Sequence, residues 1–374
     1  MNGSPNAPRI GHARSLAVLG LILLIGYTAE AVGSYRTVVL QASGGPVEVP
    51  LFFVGDGLQY RAAVRSMLED GDLDLRNNLA ETGARLEGSA ALGQGGEWYP
   101  KHPVLMPIVS APFYAIGGDL GLLAFNVLQV AALVLLLWLA VRRHVSETVT
   151  WAVTLWFAFG SVLRPYAYGY SPDVLSTLLV VGGYLAIADH RAALAGLLLG
   201  VAMWAKLPNV VVVVPLLAWA AVELSRRDLV RTAVTFALPV LALGALHAYF
   251  FGDPFTTPYD RVIEDPRVSL TAIEASHRTF FDVPFWQGLR HALLDRQIGL
   301  LVPAPPVLLA PFGLLLLWRR SKAETLVLAA IVFGQIAFFA PYRMFEKRFL
   351  LTAVVLAAVP VGAVIARLLG ERVR

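Results

Sequence analysis

The chain has 374 residues, of which 57% are hydrophobic and only 15% charged, and its mean hydropathy of +0.65 excludes an ordinary soluble domain and marks an integral membrane protein. The absence of cysteine excludes disulfides, thiolate chemistry and Cys-based metal sites. The formal charge of +4 does not point to nucleic acid, because the basic residues are scattered along loops and form no stripe; membrane topology accounts for them better.

The first apolar stretch, 15–33, follows Arg9, His12 and Arg14 and so resembles a charged signal-peptide start. It is long for a signal core and offers only a weak small-residue cleavage site, so it is expected to be a retained first span. Apolar runs near the length that crosses about 30 Å of hydrocarbon follow at 120–141, 147–163, 173–188, 229–250, 301–318, 324–341 and 349–366. Two regions are ambiguous. Residues 192–223 read as one very long helix or as a hairpin broken at Lys206, Leu207, Pro208 and Asn209; the short, proline-interrupted 104–117 reads as spanning or interfacial.

Charge decides between these readings, since Lys and Arg in short loops favour the cytoplasmic side. A hairpin at 192–223, with 104–117 not spanning, puts Arg142, Arg143, Arg191, Arg226, Arg227, Arg231, Arg319, Arg320 and Lys322 inside together with both termini. Only Arg164, Lys206 and the trio Arg343, Lys347 and Arg348 then fall in short outer hairpins. Merging the hairpin would place Arg226, Arg227 and Arg231 outside. The expected fold class is therefore an all-α polytopic membrane protein of about ten transmembrane helices, a single domain over 1–374 with both termini cytoplasmic. Two long segments, 34–103 and 251–300, face outward, are rich in charge, Gly and aromatics, and are the natural seat of chemistry. No repeat or low-complexity tract interrupts the pattern.

In the first loop, Asp56 precedes GLQYRAAVRSMLEDGD, where Leu58, Ala62, Val64, Met67 and Leu68 give a rough helical stripe. Such a helix rests on the membrane surface, with Asp56 either a plain N-cap or a general base at the rim of a wet cavity. The loop ends in EWYPKHPVLMP, holding Lys101 and His102 between prolines at the depth of a lipid phosphate; an interfacial anchor is the alternative. Asp173 begins a helix after Ser171 and Pro172, either a first-turn acid or the second of an outward acid pair with Asp56. Lys206 stands in WAKLPN with almost no other charge nearby, a lone cation that suits a lipid phosphate or snorkels to the surface. Arg343, Lys347 and Arg348 defy the positive-inside trend and invite a phosphate or pyrophosphate, unless Glu346 or loop acids pair with them. No phosphate-binding Gly loop, serine-hydrolase elbow or zinc helix motif is present; DGDLDL at 70–75 superficially resembles an acidic metal motif but follows a helix and reads more easily as a solvated turn, and His102 has no partner at metal-ligand spacing.

VGDGLQYRAAVRSMLEDGDL, YPKHPVLMPIVSAPFYAIGG, AGLLLGVAMWAKLPNVVVVVPL, YFFGDPFTTPY and KRFLLTAVVLAAVP together resemble the GT-C superfamily of polytopic glycosyltransferases, in particular the protein mannosyltransferase and aminoarabinose transferase group. The resemblance implies a polyprenyl-phosphate sugar donor, a protein, lipid or polysaccharide acceptor, and a place in the bacterial inner membrane. It makes Asp56 the catalytic base and Asp173 the second acid. It assigns donor-phosphate and substrate contacts to Lys101, His102, Lys206, Arg343, Lys347 and Arg348, with Tyr60 and Tyr259 beside them. A divalent cation, Mg or Mn, is in question because Gly55 and Gly57, not a second acid, flank Asp56. The C-terminal soluble domain of larger members is expected to be missing. The competing expectation is a transporter or flippase of a lipid-linked saccharide. It would need ionisable groups near the bilayer midplane and matching halves, whereas the spans here are nearly free of acids.

Overall fold

The computed structural model describes residues 10–42, 45–82, 88–263, 281–297 and 299–374. Parts of both expected outer loops, chiefly 264–280 of the second, lie outside the described residues.

Helix α1, Ile10–Ser34, is followed by an antiparallel hairpin of β1, Thr37–Ala42, and β2, Gly45–Pro50, with Thr37 opposite Pro50. Two short helices follow, α2 at Gly57–Arg65 and α3 at Arg76–Thr82. A second small antiparallel pair, β3 at Ala90–Leu92 and β4 at Trp98–Pro100, ends the first loop. The long helical stretch α4, Leu105–Arg142, is interrupted at Gly118, whose φ of 55° breaks the helix. A straight helix would separate residues 113 and 125 by roughly 18 Å, yet the Phe113 and Phe125 rings lie 5.1 Å apart. Limb 105–117 therefore folds back and does not lengthen the span.

The remaining helices are α5, Glu147–Gly160; α6, Pro172–Ala188; α7, Ala192–Ala205; α8, Val210–Glu223; and α9, Arg226–Phe251. After the second loop come α10, Phe285–Leu294; α11, Ala310–Trp318; α12, Lys322–Phe339; and α13, Leu351–Leu368. The 192–223 region is a hairpin, α7 turning through Leu207–Asn209 into α8. Pro208 sits at the start of that turn, where its missing N–H costs nothing. Among the described residues five helices are long and apolar enough to cross a membrane, α1, α4, α9, α12 and α13, and shorter apolar helices fill the bundle between them.

Helix α13 is buried along nearly its whole length and packs against α4, α5, α6, α11 and α12, so it is the axis of the core. By contrast α9 exposes Val230, Val234, Leu238 and Leu241, an apolar face that only lipid makes economical. In lipid, helices associate by close packing more than by hydrophobic expulsion. Gly196 and Gly200, one turn apart on α7, supply that closeness: a Cβ on Gly196 would overlap the Thr232 carbonyl of α9, and one on Gly200 would lie 2.6 Å from the Phe236 carbonyl oxygen. Gly196→Leu is expected to lower stability by at least about 1–3 kcal/mol, the usual cost of overpacking, seen as a reduced melting temperature in detergent, whereas Gly20→Leu, where the added Cβ meets nothing, leaves it unchanged.

Candidate active site

The local fold around Asp56 explains both of its glycines. Gly55 takes φ +86°, in the region open to glycine, while a Cβ on Gly57 would press within 3.1 Å of the Tyr170 carbonyl oxygen. This closeness bolts the start of α2 to the turn before α6. The Tyr170 N–H donates to the Phe52 carbonyl at 3.1 Å, and its ring meets those of Phe52 and Phe53. Arg61 docks the other face of α2 through a two-pronged pair with Asp119, both contacts at 2.8 Å. Asp56 stands at the N-terminus of α2, but its side chain makes no cap hydrogen bond. The plain capping reading therefore has no support, and the carboxylate is turned elsewhere.

It faces Arg348, whose Nη2 lies 2.9 Å from Oδ2. Arg348 sits in the turn Lys347–Leu350 just ahead of α13, so this one contact joins the first loop to the core helix. The other carboxylate oxygen, Oδ1, lies 3.4 Å from His102 Nε2. That nitrogen is buried without a hydrogen-bond partner among the described residues. His102 is held from behind: its Nδ1 is 3.1 Å from the Tyr259 hydroxyl, and its ring stacks on Tyr60 at 5.5 Å. Tyr259 comes from the second loop, in a turn closed by reciprocal contacts between Thr257 and Asp260. The two loops are stitched together by the Ile263 N–H donating to the Ala90 carbonyl at 2.9 Å and the Gln94 N–H to Phe250 at the end of α9, also 2.9 Å.

Next to this group lies a narrow cavity between the helix ends, lined by Asp173, Lys206, Arg348 and Phe349 among others. Asp173, in the first turn of α6, is 3% exposed and takes a 2.6 Å contact from Lys206 Nζ. Lys206 and Arg348 both lie over the Phe349 ring, at 4.8 and 5.3 Å, an arrangement in which the aromatic face shares two cations. Lys206 is held by Asp173 and Arg348 by both Asp56 and Glu346, the latter also at 2.9 Å, so the two cations converge on the cavity already paired.

Of the residues singled out in the sequence, the structure brings Asp56, Tyr60, Lys101, His102, Asp173, Lys206, Tyr259 and Arg348 into one neighbourhood. Lys101 adds its positive field at Asp56. Asp56 and Asp173 are not a carboxylate pair in contact; each has its own cation. Arg343 and Lys347 point elsewhere: Arg343 pairs with Asp282, and Lys347 donates to the Gln297 carbonyl at 3.2 Å. Unforeseen were the polar residues of the spans that line the cavity. Ser176 donates to Asn209 at 2.9 Å, Thr177 and Thr352 share a hydrogen at 2.9 Å, and Gln335 accepts from the Ala353 N–H at 2.8 Å. Their signal was available, since polar side chains inside apolar spans mark buried polar cavities.

Burial is the largest single influence on Asp56 and alone would raise its pKa; His102, Arg348 and Lys101 oppose it and together hold the carboxyl well below the usual carboxylate range. Burial also dominates at His102, pushing it below its ordinary 6.5 in spite of the pull of Asp56. Arg348 is the permanently charged partner in contact with Asp56. Mg or Mn binding needs several oxygen ligands. Around Asp56 the neighbours are cations and one imidazole, and among the described residues no group of three His or acidic side chains gathers for a metal.

The helical bundle thus gathers acids and cations beneath a layer formed by the two loops. The chain belongs to glycosyltransferase family 87, whose profile matches residues 101–341. No curated protein sequence matches it. Its fold is similar to that of ArnT from Cupriavidus metallidurans bound to undecaprenyl phosphate, with a TM-score of 0.59 and 12% identity over 96% of this chain and 60% of that one. It is also similar to the Archaeoglobus fulgidus oligosaccharyltransferase AglB in complex with an inhibitory peptide and a dolichol-phosphate, with a TM-score of 0.59 and 12% identity over 96% of this chain and 51% of that one. The chain thus spans between half and two thirds of the length of these solved relatives.

The His102 shift fixes the sign of one pH effect. Its folded pKa is below its unfolded value, so as pH falls through about 6.5 the unfolded chain takes up a proton that the folded chain refuses, and stability drops. The loss of melting temperature between pH 7 and pH 5 is expected to be smaller in His102→Gln than in wild type.

Proposed function

We propose that this chain moves a sugar from a polyprenyl-phosphate donor to an acceptor on a protein, lipid or polysaccharide at the extracytoplasmic face of the bacterial inner membrane, with about ten spans and both termini cytoplasmic. The observation that carries the reading is the Asp56–Arg348 contact at 2.9 Å, beside a cavity into which Lys206 also reaches. A base and a pair of phosphate-binding cations then stand side by side. The family's name gives the class of reaction, and the lipid phosphates in the two solved relatives suggest the class of donor.

The donor is a phosphodiester that leaves as a lipid phosphate with one more negative charge. Lys206 and Arg348 are placed to meet that growing charge, the kind of electrostatic stabilisation that contributes most when the site is dry. Asp173, against Lys206, acts as a positioning residue for the ammonium. Without donor, Arg348 neutralises Asp56 and keeps its proton affinity low. A donor phosphate competes for the same guanidinium, and as Arg348 turns toward it the carboxylate is released for the acceptor. The acceptor hydrogen then passes to Asp56 as the new bond to the anomeric carbon forms and the bond to phosphate oxygen breaks. A single base on the attacking side suffices for an inverting step, the stereochemistry that the GT-C resemblance implies.

The test is sugar transfer from radiolabelled polyprenyl-phosphate sugars by the purified protein in detergent. Asp56→Asn is expected to lower kcat about 100-fold or more, the usual share of a general base, with donor binding retained. Lys206→Ala is expected to lower kcat/KM by about 100-fold and to weaken binding of polyprenyl phosphate itself. Equal turnover by wild type and Asp56→Asn would remove Asp56 from the chemistry. No turnover with any donor, together with movement of lipid-linked sugar across vesicles, would assign transport instead.

A further inference from the structure

A second cavity lies far from Asp56, on the outside of the bundle between α4, α6 and α7. It is a groove of about 500 Å³, within the range of small-molecule sites, with a wall built from Leu136, Leu178, Leu194 and Leu198. Its mouth is of opposite character. Arg142 and Arg143 end α4, Asp189 caps α6 and Arg191 precedes α7, and all four line the opening. Asp189 is already engaged by Arg143, and Arg143 also donates to the Ala188 carbonyl at 2.9 Å. Arg142 is turned to Glu147 at 4.0 Å and to the Val145 carbonyl at 3.1 Å, so the mouth keeps a net positive charge through Arg191, beside the Arg143–Asp189 pair. Arg191 is exposed there.

The dimensions fit one leaflet. From Leu178 to Asp189 the groove follows α6 for roughly 17 Å, close to the ~15 Å that is half of a hydrocarbon core. Asp173, at the other end of α6, lies roughly 24 Å along the same helix from Asp189, so the cationic mouth opens on the membrane surface opposite the Asp56 site. The donor phosphate has its cations, Lys206 and Arg348, at that far end and has no part in this one.

We propose that the groove holds an anionic phospholipid of the leaflet opposite the Asp56 site, its acyl chain along the leucine wall and its phosphate at Arg143 and Arg191. Charge complementarity selects this occupant over a zwitterionic lipid, whose headgroup cation the arginines would repel. Such a lipid fastens α4, α6 and α7 to one another at the end where no loop layer covers them. The site is independent of the donor chemistry proposed above.

The experiment is native mass spectrometry of the full chain in mild detergent, titrated with phosphatidylglycerol and with phosphatidylcholine of identical acyl chains. Phosphatidylglycerol is expected to bind about tenfold more tightly, in keeping with about 1 kcal/mol per basic residue at an anionic surface. Arg191→Gln should weaken phosphatidylglycerol about fivefold and leave phosphatidylcholine unchanged. Leu194→Trp, which fills the half-exposed wall without touching charge, should weaken both. Equal affinity for the two lipids, or no effect of Arg191→Gln, would overturn the proposal. So would displacement of bound phosphatidylglycerol by uncharged polyprenol, which would assign the groove to an isoprenoid tail.

Discussion

The contact between Asp56 and Arg348 is the point on which the outer half of the molecule turns. It joins the first loop to the start of the central helix α13, across almost the whole sequence. Each partner is under a third exposed, so both charges need protein partners; Glu346 also holds Arg348 at 2.9 Å, and His102 faces Asp56 at 3.4 Å. Much of the surrounding architecture serves to hold this pair in register. Gly55 and Gly57 shape the turn, Tyr170 meets it through its backbone carbonyl, Arg61 clamps α2 to Asp119, and Tyr60 and Tyr259 hold His102 beside the carboxylate.

This arrangement also resolves an apparent tension in using Asp56 as a base. A carboxylate paired with guanidinium binds protons poorly, which is a handicap in a resting enzyme only if the pairing persists. In the mechanism proposed above, a phosphate entering the cavity that Arg348 shares with Lys206 competes for the guanidinium with the Asp56 and Glu346 carboxylates, so that binding of one substrate tunes the group that activates the other. His102 Nε2, buried, faces Asp56 Oδ1 at 3.4 Å.

The two ends of the bundle solve different problems. At the Asp56 end, charges are buried and each is paired, and stitched loops shield them. At the opposite end the arginines are numerous and mostly exposed, and the leucine-walled groove beneath them is open. Between the ends, glycines at the α7–α9 crossing and the buried length of α13 supply the close packing that replaces hydrophobic expulsion in lipid.

Much of this was legible in the sequence, because transfer of the backbone into hydrocarbon leaves few options: each expected apolar run contains helix, and the break at Lys206 to Asn209 could be read from proline and charge. Asp56, Lys206 and Arg348 announced themselves as charges placed where the environment makes charge costly. The sequence could not choose partners for them. Asp56 might equally have capped its helix, Asp173 might have joined Asp56, and Arg343 and Lys347 looked as good as Arg348 for a phosphate. Those choices depend on contacts between residues 33 to almost 300 positions apart, which local propensity does not encode. Only the tertiary structure, by setting the turn before α13 against the turn before α2, decided that Arg348 faces the cavity while Arg343 goes to Asp282 and Lys347 to Gln297.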